Sequence, residues 1–184
     1  MFLLILGLIV FFAAHLAFTV PGLRPMLVAR IGEFSYKGIV GAISLAGIIL
    51  IVLGMKQAGH VGLWTPPPFA DPIAIGLMPL AFILVIAAYF PCNLKRAVRH
   101  PMLLGVGLWA GLHLLANGDL AGLLLFGSFF VYALFDLGLR WKRIVPAPRV
   151  YPPGYDLALM FIAILIYATI LVLHPLLFGH TVAI

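Results

Sequence analysis

Arg99-His100-Pro101-Met102-Leu103-Leu104-Gly105-Val106-Gly107-Leu108-Trp109-Ala110-Gly111-Leu112-His113-Leu114-Leu115-Ala116-Asn117-Gly118-Asp119 is one apolar run with a proline at its start and a turn at its end. Proline in the first helical turn forfeits no hydrogen bond, and Asn-Gly-Asp is a strong local stop. The stretch therefore reads as a short helix over Pro101–Ala116 that turns tightly into a further apolar helix starting at Leu120. The rest of the chain has the same character. Its 184 residues are 65% hydrophobic and 9% charged, with a mean hydropathy of +1.23. That composition excludes a soluble globular domain and defines an all-α integral membrane protein. The net charge of +6 does not point to nucleic acid, because the basic residues gather at the ends of apolar runs.

A helix needs about 20 mostly apolar residues to cross a bilayer. Six stretches are candidates: Met1–Val20, Gly38–Met55, Pro72–Phe90, Pro101–Ala116, Leu120–Leu139 and Asp156–Phe178. No repeat, soluble domain or disordered tail interrupts them, so residues 1–184 read as a single integral membrane domain, a bundle of six transmembrane helices. Met1–Val20 lacks a positive leading segment and a small-residue cleavage site, and is expected to be a retained helix. Pro66-Pro67-Pro68 makes the second connection stiff and extended. Trp64, Trp141, Tyr36, Tyr89, Tyr151 and Tyr155 fall near span ends, where amphipathic rings settle at the membrane interface. Cys92 is the single cysteine, so no internal disulfide is possible. Beside Lys95 and Arg96 it reads as a small interfacial residue, with lipidation as the alternative.

Charge checks the count independently. The first, third and fifth connections carry Arg24, Arg30 and Lys37; Lys95, Arg96 and Arg99; and Arg140, Lys142, Arg143 and Arg149. The second carries only Lys56, and the fourth has no basic side chain. The positive-inside rule then places the odd connections in the cytoplasm and both termini outside. Asp136 and Arg140, four residues apart at the inner end of the fifth span, are expected to pair and offset their own burial.

An ionisable side chain at membrane depth is costly and marks a functional-site candidate. His15, His100 and His113 qualify. His100 and His113 differ in depth by roughly 20 Å and point about 140° apart on an ideal helix, so they cannot serve one metal together. His15 lies roughly 9 Å and His113 roughly 18 Å from the cytoplasmic border. The first span runs inward and the fourth outward, and side chains lean toward their own helix N-terminus. The two imidazoles thus lean toward each other and can close on one iron or one flat cofactor between the first and fourth spans. The plainer reading is a hydrogen bond from His113 to a carbonyl on the next helix. Gly105, Gly107, Ala110 and Gly111 keep the fourth span slim enough for a close neighbour or a macrocycle. Asn117, one turn beyond His113, is placed to hydrogen-bond its free ring nitrogen. His60, His174 and His180 fall near the outer surface and read as solvated or interfacial. Around Arg99-His100-Pro101, the free amides of a helix start together with Lys95, Arg96 and Arg99 form an electropositive pocket. It suits a carboxylate or phosphate, including a haem propionate or a lipid headgroup, and also ordinary inner-face anchoring.

Phe11-Phe12-Ala13-Ala14-His15, with Pro21-Gly22-Leu23-Arg24-Pro25, resembles the start of the NnrU family of bacterial membrane proteins. Arg99-His100-Pro101-Met102 through Trp109 and His113-Leu114-Leu115-Ala116-Asn117-Gly118-Asp119 resembles its central segment. The likeness covers essentially the whole chain, and the family carries a genetic link to nitrite and nitric oxide reductase expression in denitrifiers. NnrU proteins are similar to the plant and cyanobacterial 15-cis-zeta-carotene isomerase, a membrane enzyme that holds haem b through histidines. That resemblance implies His15 and His113 as haem ligands. It departs in one respect: the isomerase has a cysteine near its second ligand, where this chain has Ala110.

Arg99-His100-Pro101-Met102-Leu103-Leu104-Gly105 also resembles the Arg-His-Pro-x-Tyr-x-Gly motif with which membrane methyltransferases bind S-adenosylmethionine. Leu103 replaces the tyrosine, and the acidic residues expected after the next span are replaced by Arg140-Trp141-Lys142-Arg143.

The expectation is therefore a haem b protein of the inner membrane, with His15 and His113 on the iron and Lys95, Arg99 and His100 near the propionates. Two alternatives stand beside it. One is an S-adenosylmethionine-binding methyltransferase-like protein. The other is a non-catalytic accessory factor that binds a partner within the membrane or through short loops.

Overall fold

A computed structural model of the chain describes residues 1–16, 22–141 and 149–178. Pro21, Lys142, Arg143 and His180, and the last four residues of the first expected span, lie outside the described residues. The described chain is helical and forms two compact units, Met1–Val61 and Gly62–Ile184.

The first unit holds α1 (Phe2–Leu16), α2 (Leu23–Ile31) and α3 (Glu33–Gln57). α1 and α3 run antiparallel and approach at backbone distance, because three glycines line their seam. A Cβ on Gly7 would lie 2.6 Å from the Ile51 amide nitrogen, and one on Gly47 would lie 2.9 Å from the Phe11 Cβ. On Gly54 it would run into the backbone of Leu4. Small residues let membrane helices gain van der Waals contact where lipid supplies no hydrophobic drive between them. α2 is a surface helix with no buried residue, bracketed by Gly22 and Gly32 with φ of 81° and 82°. Only glycine adopts that left-handed backbone freely. Glu33 then joins the start of α3 to its surroundings, meeting Lys37 at 2.9 Å and Arg24 at 3.6 Å. Both are exposed pairs of small energetic worth.

The second unit holds α4 (Ala70–Ala87), α5 (Leu94–Ala97), α6 (Pro101–Ala116), α7 (Leu120–Arg140) and α8 (Pro153–Phe178). α6 packs between α4 and α7, and α8 packs on α4. Gly105 receives Ala81 and Val85 of α4, while Gly107 and Gly111 face Ala133 and Phe130 of α7. Ala74, Met78, Ala81 and Leu112 form a core with Trp109 and Tyr167 around them. A second core joins Ala87, Cys92 and Leu159. Cys92 is thus fully buried, which leaves no surface for lipidation. Tyr36, expected at the interface, is also buried. It falls on the same α3 face as Gly47 and Gly54, and that seam draws it inward.

Two polar arrangements tie this unit together. Asn93 grips the segment leading into α8. Its side chain accepts from the Tyr151 amide at 2.9 Å and donates to the Tyr151 carbonyl at 2.8 Å. It also donates to Asp156 at 2.6 Å, and its backbone amide donates to the same carboxylate at 2.8 Å. Pro79 sits inside α4 and has no N–H for the Ile75 carbonyl. The Tyr167 hydroxyl of α8 supplies that missing donor at 2.9 Å. This is how a membrane helix tolerates an internal proline.

α3, α4, α7 and α8 are long and apolar enough to cross a membrane. α6, with 16 residues, measures about 24 Å, less than the roughly 30 Å of hydrocarbon, and the described part of α1 has 15 residues. Of the six expected spans, four are long and apolar enough among the described residues. α6 begins and ends as its proline and Asn-Gly-Asp turn dictate. α3 starts at Glu33 rather than Gly38, because helical hydrogen bonding runs on past the edge of the apolar stretch. α2 and α5 are short, carry no buried residue and give no hydropathy signal in the sequence.

Candidate functional site

His15 and His113, each on an apolar helix, are held by the same local device. His15 Nδ1 lies 2.8 Å from the Phe11 carbonyl oxygen, and His113 Nδ1 lies 2.9 Å from the Trp109 carbonyl oxygen. A carbonyl only accepts, so Nδ1 carries the proton in each ring and the lone pair sits on Nε2. Both rings also stack on phenylalanine. His15 lies over Phe11 at 4.1 Å and 21°, and His113 over Phe126 of α7 at 4.4 Å and 26°. Trp109 closes a further side of His113 at 5.1 Å, braced edge-on by Phe126 and Phe129. The carbonyl that holds His113 belongs to its own helix, not to a neighbour.

The helix registers fix the level of each ring within its unit. Leu4 meets Gly54 and Phe11 meets Gly47, so His15, one turn further along α1, stands opposite Ile43. That is ten residues, about 15 Å, into α3. In the second unit, Gly105 meets Ala81 and Leu112 packs with Ala74 and Met78. His113 therefore stands opposite Ile75, the residue whose carbonyl Tyr167 caps.

Asn117 supports His113 differently from the expectation. Its side-chain amide donates to the His113 carbonyl at 2.7 Å, and its backbone amide donates to the same oxygen at 2.8 Å. The ring nitrogen is not its target, because Trp109 already occupies Nδ1. The loop before α4 reaches this turn as well. Leu63 and Trp64 amides both donate to the Gly118 carbonyl, at 2.7 and 3.1 Å. Asp119 caps α7 by accepting from the Gly122 amide at 2.9 Å. No element of this loop contact was legible in the sequence. The only available signal was a glycine between two polar residues at a helix end.

The basic group stands at the other end of α6. Lys95 is half-buried, Arg96 and Arg99 are exposed, and His100 precedes the helix as its cap. His100 Nε2 is buried and has no hydrogen-bond partner among the described residues. Thirteen residues of helix separate His100 from His113, about 20 Å. Lys95, Arg99 and His100 therefore form a location of their own, and the structure does not bring them beside His113. Nearby on α7, Asp136 is buried at 4% exposure and Arg140 Nε meets it at 2.7 Å, as the spacing implied. Among the described residues, no group of three or more histidine, cysteine or acidic side chains is arranged to hold a metal ion. Any metal at these histidines would have to rely on few protein ligands, as a haem iron does with its equatorial nitrogens supplied by the porphyrin.

These features define a class: a helical membrane protein in which two histidines on apolar helices have fixed tautomers and aromatic walls. Within that class the chain belongs to the NnrU family, whose model, described as NnrU protein, matches residues 3–182. No curated protein and no solved structure matches the chain.

Proposed function

We propose that this NnrU-family protein is an inner-membrane haem b protein with His15 and His113 as the axial ligands. Its role would be redox or isomerase-like and associated with denitrification. Both termini are periplasmic in this reading, and α1 and α6 count as spans beside the four long ones. The observation that carries the reading is the matched presentation of the imidazoles. Each has Nδ1 committed to the carbonyl four residues back, leaving Nε2 as the basic nitrogen, in an apolar and aromatic setting. Such a bond raises ligand basicity and fixes ring orientation. Phe11, Trp109, Phe126 and Phe129 would exclude water from the iron's neighbourhood. With both axial positions filled, haem supplies electron transfer or redox sensing rather than open-site chemistry. The basic group at Arg99 is too far along α6 to reach the propionates of a haem ligated by His113, so it is not assigned to them.

The test is the absorption spectrum of detergent-purified protein after haem supplementation, beside His15→Ala and His113→Ala. A Soret band in the wild type that is shifted or lost in both variants is expected. No band, or no change in the variants, refutes the reading.

One observation favours a second reading. The buried Nε2 of His100, which has no hydrogen-bond partner among the described residues, lies within the Arg99-His100-Pro101 motif, which supports binding of S-adenosylmethionine there. A rise in the melting temperature with S-adenosylmethionine, absent in His100→Ala, would select it. Co-purification of a membrane partner with neither ligand bound would select an accessory role.

A further inference from the structure

The geometry points to Asn117 and Gly118 as positioning residues for the His113 imidazole, in a clamp closed by the Leu63–Trp64 backbone. The inference rests on His113 being an iron ligand and adds what holds it. His113 lies in the last turn of α6, where a helix ordinarily frays because its final carbonyls have no intrahelical donors. Here the His113 carbonyl accepts twice from Asn117, once from the side chain at 2.7 Å and once from the backbone at 2.8 Å. The next residue is pinned from outside the helix. The Gly118 carbonyl takes both the Leu63 and the Trp64 amide, and Gly62 pairs with Asp119 in an isolated bridge. Gly118 is required for space and not for backbone angle. Its φ is not positive, whereas a Cβ there would run into the Trp64 carbonyl and come within 3.0 Å of Pro66 Cδ. The Pro66-Pro67-Pro68 run stiffens the chain just beyond the contact.

The chain of support thus runs from a stiff loop, through the Gly118 carbonyl and the Asn117 amide, to the backbone of His113. The Trp109 carbonyl and the Phe126 ring then set the imidazole plane. A loosened last turn would let that plane rotate and Nε2 drift, with the rest of α6 still packed against α4 through Gly105.

The test uses the full-length protein loaded with haem, beside Gly118→Ala, Asn117→Asp and Gly105→Ala. Asn117→Asp keeps the shape of the side chain and removes the donor to the His113 carbonyl. Gly105→Ala perturbs the other end of α6 and serves as the structural control. The readouts are the rate of haem transfer to excess apomyoglobin, the g-values of the ferric low-spin signal, and hydrogen exchange of residues 113–118 in haem-free protein. Loss of a partner that orients a metal ligand costs about 10–100-fold in affinity. Haem release should therefore quicken by about 10–100-fold in Gly118→Ala and Asn117→Asp. Their g-values should shift and their exchange over 113–118 should rise. Gly105→Ala should lower the melting temperature and leave the g-values in place.

Should Gly118→Ala fail to accumulate, Asn117→Asp alone decides. Wild-type protein that binds haem, with variants matching it in release and g-values, overturns the clamp and leaves the haem reading standing. Wild-type protein that takes up no haem overturns both.

Discussion

Removing a single oxygen atom, in Tyr167→Phe, tests the packing behind His113. Pro79 deprives the Ile75 carbonyl of its helical donor, and the Tyr167 hydroxyl replaces it at 2.9 Å. The substitution keeps the ring, which packs on Phe82 at 5.8 Å, and leaves the carbonyl unpaired inside an apolar core. Hydrogen bonds between membrane helices average about 0.6 kcal/mol and reach about 1.7. An orphaned buried carbonyl costs about 1–3 kcal/mol. The carbonyl here has no fallback donor in its own helix, so a loss of about 1–2 kcal/mol is expected.

The control is the same change in a Pro79→Ala background. There the alanine N–H re-enters the α4 ladder, and Tyr167→Phe should cost less than about 0.5 kcal/mol. The coupling between the two sites is therefore about 1 kcal/mol, within the range for residues sharing one partner. Reversible unfolding in mixed micelles of rising dodecyl sulfate fraction, followed by far-UV circular dichroism, measures all four proteins. An equal cost in the two backgrounds would refute the argument that tyrosine substitutes for the donor that proline lacks.

Gly54→Leu should separate α1 from α3, since even a Cβ there meets the Leu4 backbone. A loss of about 1–3 kcal/mol, the usual cost of overpacking, is expected in the same unfolding assay. Arg140→Ala should be more damaging than Asp136→Asn. The first strands a carboxylate that is 4% exposed, at a cost of about 3–5 kcal/mol. The second removes the buried charge itself, and a thermal melt that ranks the two the other way would show that the pair is not what stabilises this end of α7.

The histidine site was legible in part, and the reason is local. The Nδ1 partner of each ring is the carbonyl four residues back, a contact that a helix makes with itself. Phe11 and Trp109 are therefore visible in the sequence once a helix is assumed. Phe126 is not, because it arrives from α7 through the packing of Gly107 and Gly111 on Ala133 and Phe130. Asn117 partners His113 as its position one turn on implies, but through the backbone carbonyl rather than the ring nitrogen. Spacing shows that two residues are one turn apart, and it does not say which atom of the first is already engaged.

Composition and local spacing suffice to establish that the chain is helical and suited to lipid. They also set where α6 and α7 meet, that Asp136 pairs with Arg140, and which histidines lie within apolar helices. All of these follow from composition or from neighbours within one or two turns, where the backbone fixes geometry unaided. Packing between helices is what reveals that Asn93 grips Tyr151 and Asp156, that Tyr167 repairs the gap left by Pro79, and that Trp64 rests on Gly118. Those partners are distant in the chain, and apolar helices of similar hydropathy carry no label for their neighbours. Glycine seams and unsatisfied carbonyls make the selection, since close approach and a free acceptor exist only once helices are packed.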